Sequence, residues 1–180
     1  MRTSLVAAAL AAFAMATPSA HAALAVGTKA PDFALKAALA GKEFDFSLAD
    51  ALKKGPVVLY FFPAAFTKGC TIEAHDFAEA TAKFAALGAT VIGVTAGNAD
   101  RVAEFSSVEC RNKFAVAGDP SESVIKAYDA VLKQKPEWSD RTSYVIAPDH
   151  TILMSYTDLN PDKHVDMAMA AVKTWREAHK

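Results

Sequence analysis

The sequence predicts an α/β fold, a central mixed β-sheet flanked by helices and extended by an N-terminal hairpin. Three observations carry this expectation. Gly55-Pro56 opens the unbroken apolar run Val57-Val-Leu-Tyr-Phe-Phe62, the mark of a strand buried on both faces. From Cys70 the period lengthens to that of a helix, with Phe77, Ala80, Thr81, Phe84 and Leu87 on one stripe. Two apolar runs at residues 142–147 and 151–156 then flank Pro148-Asp-His150, as in a hairpin.

Taken in order, the chain starts with Arg2, an apolar stretch over residues 5–16 and the exit Ser19-Ala20-His21-Ala22, the pattern of a secretory signal peptide over residues 1–22. The stretch is shorter than the roughly 20 apolar residues that span a bilayer, which argues against a membrane anchor. The mature part, residues 23–180, reads as a single domain without repeats or linkers. Alternation at residues 32–35 and 44–46 around Gly41 predicts the hairpin. The helix from Cys70 stops at Gly88, and Thr90-Val-Ile-Gly-Val-Thr95 is the next strand. Asn98 is expected to cap a helix over residues 99–109. A short strand at 114–117 and a helix from Asp119-Pro120-Ser121 to Tyr128 follow. Asn160-Pro161 opens a last helix that buries Val165, Ala168, Met169, Val172 and Trp175.

Loss of the leader removes Arg2 and no acidic residue, leaving 20 Asp+Glu and a formal charge of −2. With no basic run, neither nucleic acid nor an anionic membrane is an expected partner. Two cysteines, Cys70 and Cys110, remain in a chain expected to be exported to the periplasm, where a structural disulfide is the first reading. Closing a loop of about 40 residues would stabilise the fold by roughly 4 kcal/mol.

The surroundings of Cys70 point elsewhere. It sits in Pro63-Ala-Ala-Phe-Thr67-Lys-Gly-Cys70-Thr-Ile-Glu73, where a buried strand turns into a helix. The unpaired N–H groups and positive dipole end of a helix N-terminus favour the thiolate, the nucleophilic form of cysteine. If the strand beginning near Thr142 runs antiparallel to the strand ending at Phe62, Arg141 arrives at the same sheet edge as Cys70 and supplies a cation beside the sulfur; the alternative is a surface arginine capping a loop.

This order of elements resembles the thioredoxin fold, and within it the residues are similar to a peroxiredoxin over nearly all of the mature chain. The most specific part is the P-x-x-x-T-x-x-C signature, here Pro63, Thr67 and Cys70. The continuation Gly69-Cys70-Thr71-Ile-Glu73 looks like the bacterioferritin-comigratory, or Q-type, branch. The resemblance implies a thiol-dependent peroxidase that reduces hydrogen peroxide or organic hydroperoxides through a Cys70 sulfenic acid. It further implies that Thr67 orients the peroxide, Pro63 shields the sulfur from water and Glu73 orients Arg141. A plain reading of Glu73 as an acidic first-turn residue favoured by the helix dipole stands beside this. Trp138 is either a pocket wall or packing, and Phe62, Phe66 and Tyr144 are either core or pocket lining.

His75 occupies the position where the Q-type pattern expects a resolving cysteine, five residues after Cys70. Cys110 is then the tentative resolving residue, with an intermolecular partner or a structural thiol as alternatives. A helix of about eleven residues is roughly 16 Å long, so Cys110 falls at its far end and resolution within one chain requires local unfolding. The expected reductant is thioredoxin-like or another periplasmic thiol protein, and the expected assembly a monomer or dimer. His150, His164 and His179 show no metal-ligand spacing and are expected on the surface. No metal or other cofactor is expected. Two other readings compete. A thiol-disulfide oxidoreductase is disfavoured because Cys70 lacks a C-x-x-C partner, and a binding module with a structural Cys70–Cys110 disulfide has no need of Pro63, Thr67 and Arg141 together.

Overall fold

The computed structural model describes residues 23–180, and the expected leader lies outside the described residues. Ala34–Leu39 (β1) and Lys42–Ser47 (β2) form the N-terminal hairpin, which turns at Ala40 and Gly41. The Ser47 hydroxyl then accepts from Asp50 N at 3.2 Å and caps a short helix, Leu48–Leu52 (α1). This helix escapes periodicity because five residues make little more than one turn.

Val57–Phe61 (β3) is the buried central strand, and Lys68–Ala86 (α2) follows it. Gly88 ends α2 as anticipated. Its left-handed φ of 77° lets Gly88 N bond to Ala85 O at 2.9 Å and Ala89 N to Phe84 O at 2.9 Å, satisfying carbonyls that the helix leaves open. The chain continues through Thr90–Thr95 (β4), Val102–Val108 (α3), Ala115–Gly118 (β5), Ser123–Ala127 (α4), Thr142–Ile146 (β6), Ile152–Thr157 (β7) and His164–Ala178 (α5).

Among the described residues these strands make a seven-stranded mixed sheet in the order β2-β1-β5-β4-β3-β6-β7. β3 is parallel to β4 and antiparallel to β6, with Phe61 opposite Thr142, so β6 does begin at the sheet edge where β3 ends. Both faces of β3 are covered because its alternate side chains enter different cores. Val58, Tyr60 and Phe62 pack with Phe77 and Phe84 of α2, Phe105 of α3 and Val172 of α5. Val57, Leu59 and Phe61 pack on the other face with Leu52 of α1, Ile125 of α4 and Tyr144. Each fully buried aromatic or aliphatic side chain stabilises the fold by roughly 2 kcal/mol. On the first face Tyr60 stacks on Phe77 with ring centroids 4.3 Å apart. It fits because residue 93 is glycine: a Cβ there would stand 2.8 Å from the Tyr60 ring.

Two helix starts differ from expectation. Asn98 does not cap: its φ of 54° is left-handed, and its side-chain amide donates to Ala65 O at 2.9 Å instead. The segment therefore begins with the 3-10 turn Ala99–Arg101, and α3 is seven residues long. The helix expected from Asp119 starts at Ser123, and Asp119 Oδ2 accepts from Val124 N at 2.8 Å and Ile125 N at 3.0 Å. This carboxylate does the capping from several residues upstream.

Candidate active site

β3 delivers the chain to its upper edge at Phe62, and residues 63–67 reverse it into α2. That loop is held from below by β4 and its extension: Phe62 N donates to Val94 O at 3.1 Å, Thr95 Oγ1 to Pro63 O at 3.2 Å and Ala65 N to Gly97 O at 3.2 Å. Gly97 is required by this closeness, since a Cβ there would lie 2.4 Å from Pro63 O. Trp138 packs on the same glycine, and Lys135 Nζ stands 3.2 Å from its ring centroid, so the indole supports the loop. Phe66 takes a left-handed φ of 65°, a conformation a bulky residue holds only at a cost of about 1 kcal/mol or more.

Thr67 caps α2 with extended backbone, and its hydroxyl donates to Ala64 O at 3.1 Å, leaving its oxygen lone pairs as acceptors. Cys70 is the third helical residue, so its own N–H is among the donors that the helix leaves unpaired. The thiol is 1% exposed. Glu73 follows one turn later on the same side and is fully buried, which excludes an exposed carboxylate merely favoured by the helix dipole.

Arg141 stands immediately before β6 and is 3% exposed. Its Nη2 lies 3.6 Å from Cys70 Sγ, its Nη1 donates to Glu73 Oε2, and its Nε donates to Leu159 O at 2.8 Å. Burial works against the guanidinium charge, but Glu73 and Cys70 outweigh it and raise the Arg141 pKa. Burial likewise pushes the Glu73 carboxyl up while Arg141 pulls it back. The arrangement is a buried cation fixed at three points, beside a sulfur that sits on a helix N-terminus. It favours negative charge on sulfur and on any oxygen displaced next to it.

The AhpC/TSA family matches residues 26–155. The chain belongs to this family. Peroxiredoxin Bcp of Bacillus subtilis is 29% identical over 159 residues, covering 84% of this chain and 97% of its own. The crystal structure of peroxidoxin BcpB from Mycobacterium tuberculosis superimposes with a TM-score of 0.74 at 30% identity, covering 83% of this chain and 96% of that one. A reduced 2-Cys peroxiredoxin from Plasmodium vivax, 19% identical, shares the fold with a TM-score of 0.74 over 86% of this chain and 98% of its own. This AhpC/TSA member is therefore a peroxiredoxin of thioredoxin-like fold, an enzyme that reduces peroxides at the expense of thiols.

Within the peroxiredoxin, Cys70, Thr67, Pro63, Arg141 and Glu73 converge on one sheet edge. Cys110 does not join them. It is buried at the end of α3, in a core with Phe105 and Phe114. His75 Nε2 lies 2.8 Å from Glu109 Oε2, so the Cys110 turn meets α2 five residues past Cys70, about 8 Å further along the helix axis. Burial pushes the Cys110 thiol up, with Glu109 adding to the effect.

Phe62 stacks on Phe105 at 5.3 Å and is core, and Tyr144 lies on the opposite sheet face with its hydroxyl donating to Tyr128 O at 2.6 Å. Phe66 carries the Arg101 guanidinium 3.9 Å above its ring. The expectation of a surface His164 is overturned. That residue is fully buried at the start of α5, where one ring nitrogen meets the Ser143 hydroxyl and the other the Asp158 carbonyl. Gly69 was also unforeseen: a Cβ at this position would stand 3.0 Å from Arg141 Nη2. Its one sequence signal, a glycine directly before the cysteine, does not reveal the contact with Arg141.

Proposed function

We propose that Cys70 is the peroxidatic nucleophile of this peroxiredoxin, with Arg141 as its electrostatic partner. The Nη2–Sγ approach of 3.6 Å carries the reading. The Cys70 thiolate attacks one peroxide oxygen and the O–O bond breaks. Sulfur is oxidised to the sulfenic acid Cys70–S–OH, and the second oxygen leaves as hydroxide or alkoxide, which takes a proton to become water or alcohol. Arg141 faces the charge at both ends of this transfer, while the Thr67 oxygen accepts a hydrogen bond from the peroxide O–H. Pro63 is buried beside the sulfur's loop and excludes water from it.

Cys110 then resolves the sulfenic acid: its sulfur attacks Cys70 Sγ, the S–O bond breaks, and water leaves. The buried, protonated thiol is a poor nucleophile in place, so resolution follows an opening of the Cys110 turn. That turn is left-handed at Arg111, with a φ of 50° that costs a non-glycine residue about 1 kcal/mol, and at Asn112, with a φ of 61° that asparagine tolerates. A thioredoxin-like or other periplasmic thiol protein returns the disulfide to two thiols, residues 1–22 acting as the export signal of a single-domain mature enzyme. The enzyme works as a monomer or dimer.

The test is intact mass under non-reducing conditions, for wild type and Cys110→Ser, after one equivalent of hydrogen peroxide. The expected result is loss of two hydrogens in wild type and a trappable sulfenic acid in the variant. A persistent sulfenic acid or a linked dimer in wild type would remove Cys110 from intramolecular resolution. An inert Cys70 in both proteins would sink its assignment as nucleophile.

A further inference from the structure

We infer that His164 is a positioning residue for the reaction at Cys70, acting through the loop that holds Arg141. The inference rests on the peroxidatic reading of Cys70 and adds a residue that never touches the sulfur. Two of the three contacts that aim the guanidinium come from α2, and the third is the Leu159 carbonyl, which accepts from Arg141 Nε at 2.8 Å. Leu159 lies in the exposed connection between β7 and α5, whose local ties, Asn160 N to Asp158 Oδ1 at 2.9 Å and Asp162 N to Asn160 Oδ1 at 3.2 Å, are made at the surface. An acceptor on such a loop fixes a buried arginine only if the loop itself is tied down.

His164 is that tie. Its imidazole is fully buried at the start of α5, and Nε2 lies 2.8 Å from Asp158 O, the carbonyl one residue before the Leu159 acceptor. A carbonyl only accepts, so Nε2 carries the hydrogen and donates it. Nδ1 is then an acceptor and takes the Ser143 hydroxyl at 2.8 Å, from the strand that Arg141 introduces. The same loop returns a bond to the arginine's own backbone, Asp158 N to Arg141 O at 3.2 Å. Tyr156 packs edge-on against the imidazole with centroids 4.8 Å apart, removing its freedom to tilt.

Burial and the neighbouring Arg141 keep the imidazole neutral. That matters for its role, because a cationic ring could not accept from Ser143 and would repel the guanidinium. Glu73 Oε1 is 3.7 Å from Nδ1, beyond hydrogen-bond distance, so the histidine does not compete for the carboxylate that Arg141 uses. The ring therefore fixes the loop without altering the partners of the cation. Displacing Arg141 by a fraction of an ångström weakens its hold on the thiolate, which slows any attack by the sulfur, and its hold on the departing oxygen, which slows the reaction with peroxide further.

The experiment compares two reactions of Cys70 in wild type, His164→Leu, His164→Gln and Ser143→Ala: single-turnover oxidation by hydrogen peroxide and alkylation by iodoacetamide, with modification read by mass on the Cys70 peptide. Alkylation expels iodide away from the protein and needs no oxygen stabilised by Arg141. His164→Leu is expected to lower the peroxide rate at least tenfold and the alkylation rate less than threefold. The amide of His164→Gln can reach Asp158 O and is expected to bring the peroxide rate back to within about threefold of wild type. A folded His164→Leu protein with a wild-type peroxide rate, or one whose two rates fall in parallel, would overturn the inference. Should His164→Leu not fold, Ser143→Ala decides: a selective three- to tenfold loss with peroxide supports the role, and an unchanged rate removes it. A wild-type protein inert to peroxide would instead sink the reading of Cys70 itself.

Discussion

His75 Nε2 on α2 and Glu109 Oε2 at the end of α3 lie 2.8 Å apart, and Glu109 is the residue immediately before Cys110. The helix that begins at the nucleophile is thus clipped to the segment carrying the second cysteine. In a half-buried setting such a pair is worth about 1 kcal/mol. His75→Ala is expected to leave the first oxidation of Cys70 unchanged while accelerating formation of the Cys70–Cys110 disulfide by roughly fivefold, because the turn opens more readily. Quenched-flow alkylation followed by mass analysis separates the two steps. An unchanged disulfide rate would mean that the clip does not restrain the opening.

Arg141→Ala is expected to slow oxidation of Cys70 by peroxide by about 10²–10³, the usual effect of deleting a donor to a developing oxyanion. It also leaves Glu73 buried without its cation, at a cost of about 3 kcal/mol or more. Arg141→Lys keeps a charge but not the fork that meets Glu73, Leu159 and Cys70 together, so it is expected to recover stability better than rate. Stopped-flow oxidation and urea denaturation report the two quantities separately.

Gly69→Ala probes the space rather than the charge. The added methyl would stand 3.0 Å from Arg141 Nη2, closer than ordinary packing allows, and the guanidinium, at the end of a long side chain, must shift by a few tenths of an ångström against its three contacts. Because alanine also favours the helix, the variant is expected to be at least as stable as wild type yet about tenfold slower with peroxide. A wild-type rate would show that the arginine tolerates the shift.

His164 makes stability depend on pH. Its pKa falls from an ordinary 6.5 to about 4 because the ring is buried, against the pull of its bond to Asp158 O. The unfolded chain binds the proton first as pH drops, so the stabilising contribution is complete above about pH 6.5 and is lost as pH falls through about 4. At 1.36 kcal/mol per tenfold change, the loss across that window is about 3 kcal/mol. Urea unfolding at pH 7, 5.5 and 4 measures it, and His164→Gln is expected to remove that part of the slope. A variant with the wild-type slope would place the dependence on other groups.

The parts legible in the sequence are those where one residue type meets one local demand. Val57-Val-Leu-Tyr-Phe-Phe62 can only be a doubly buried strand, Gly88 suits a left-handed helix stop, and the Pro63, Thr67 and Cys70 spacing ties the thiol to a helix start. The position of Arg141 was conditional on an antiparallel strand after it, and the antiparallel pairing of Phe61 with Thr142 meets that condition. His164 and Gly69 were not legible, because their importance lies in contacts with Arg141 made across the fold. Asn98 misled for a related reason. Its side chain had two possible partners, the helix N–H groups and the Ala65 carbonyl, and the tertiary contact prevailed.

Cys70 and Cys110 belong to the same hydrophobic layer, on the face of the sheet that carries α2, α3 and α5. The opposite layer, with α1 and α4, contains neither. Under the proposed resolution, the rearrangement that joins the two thiols therefore falls on one side of the sheet. The opposite layer packs on the same strands and holds neither sulfur, so the resolution proposed for Cys110 asks for a local excursion on one face of the sheet.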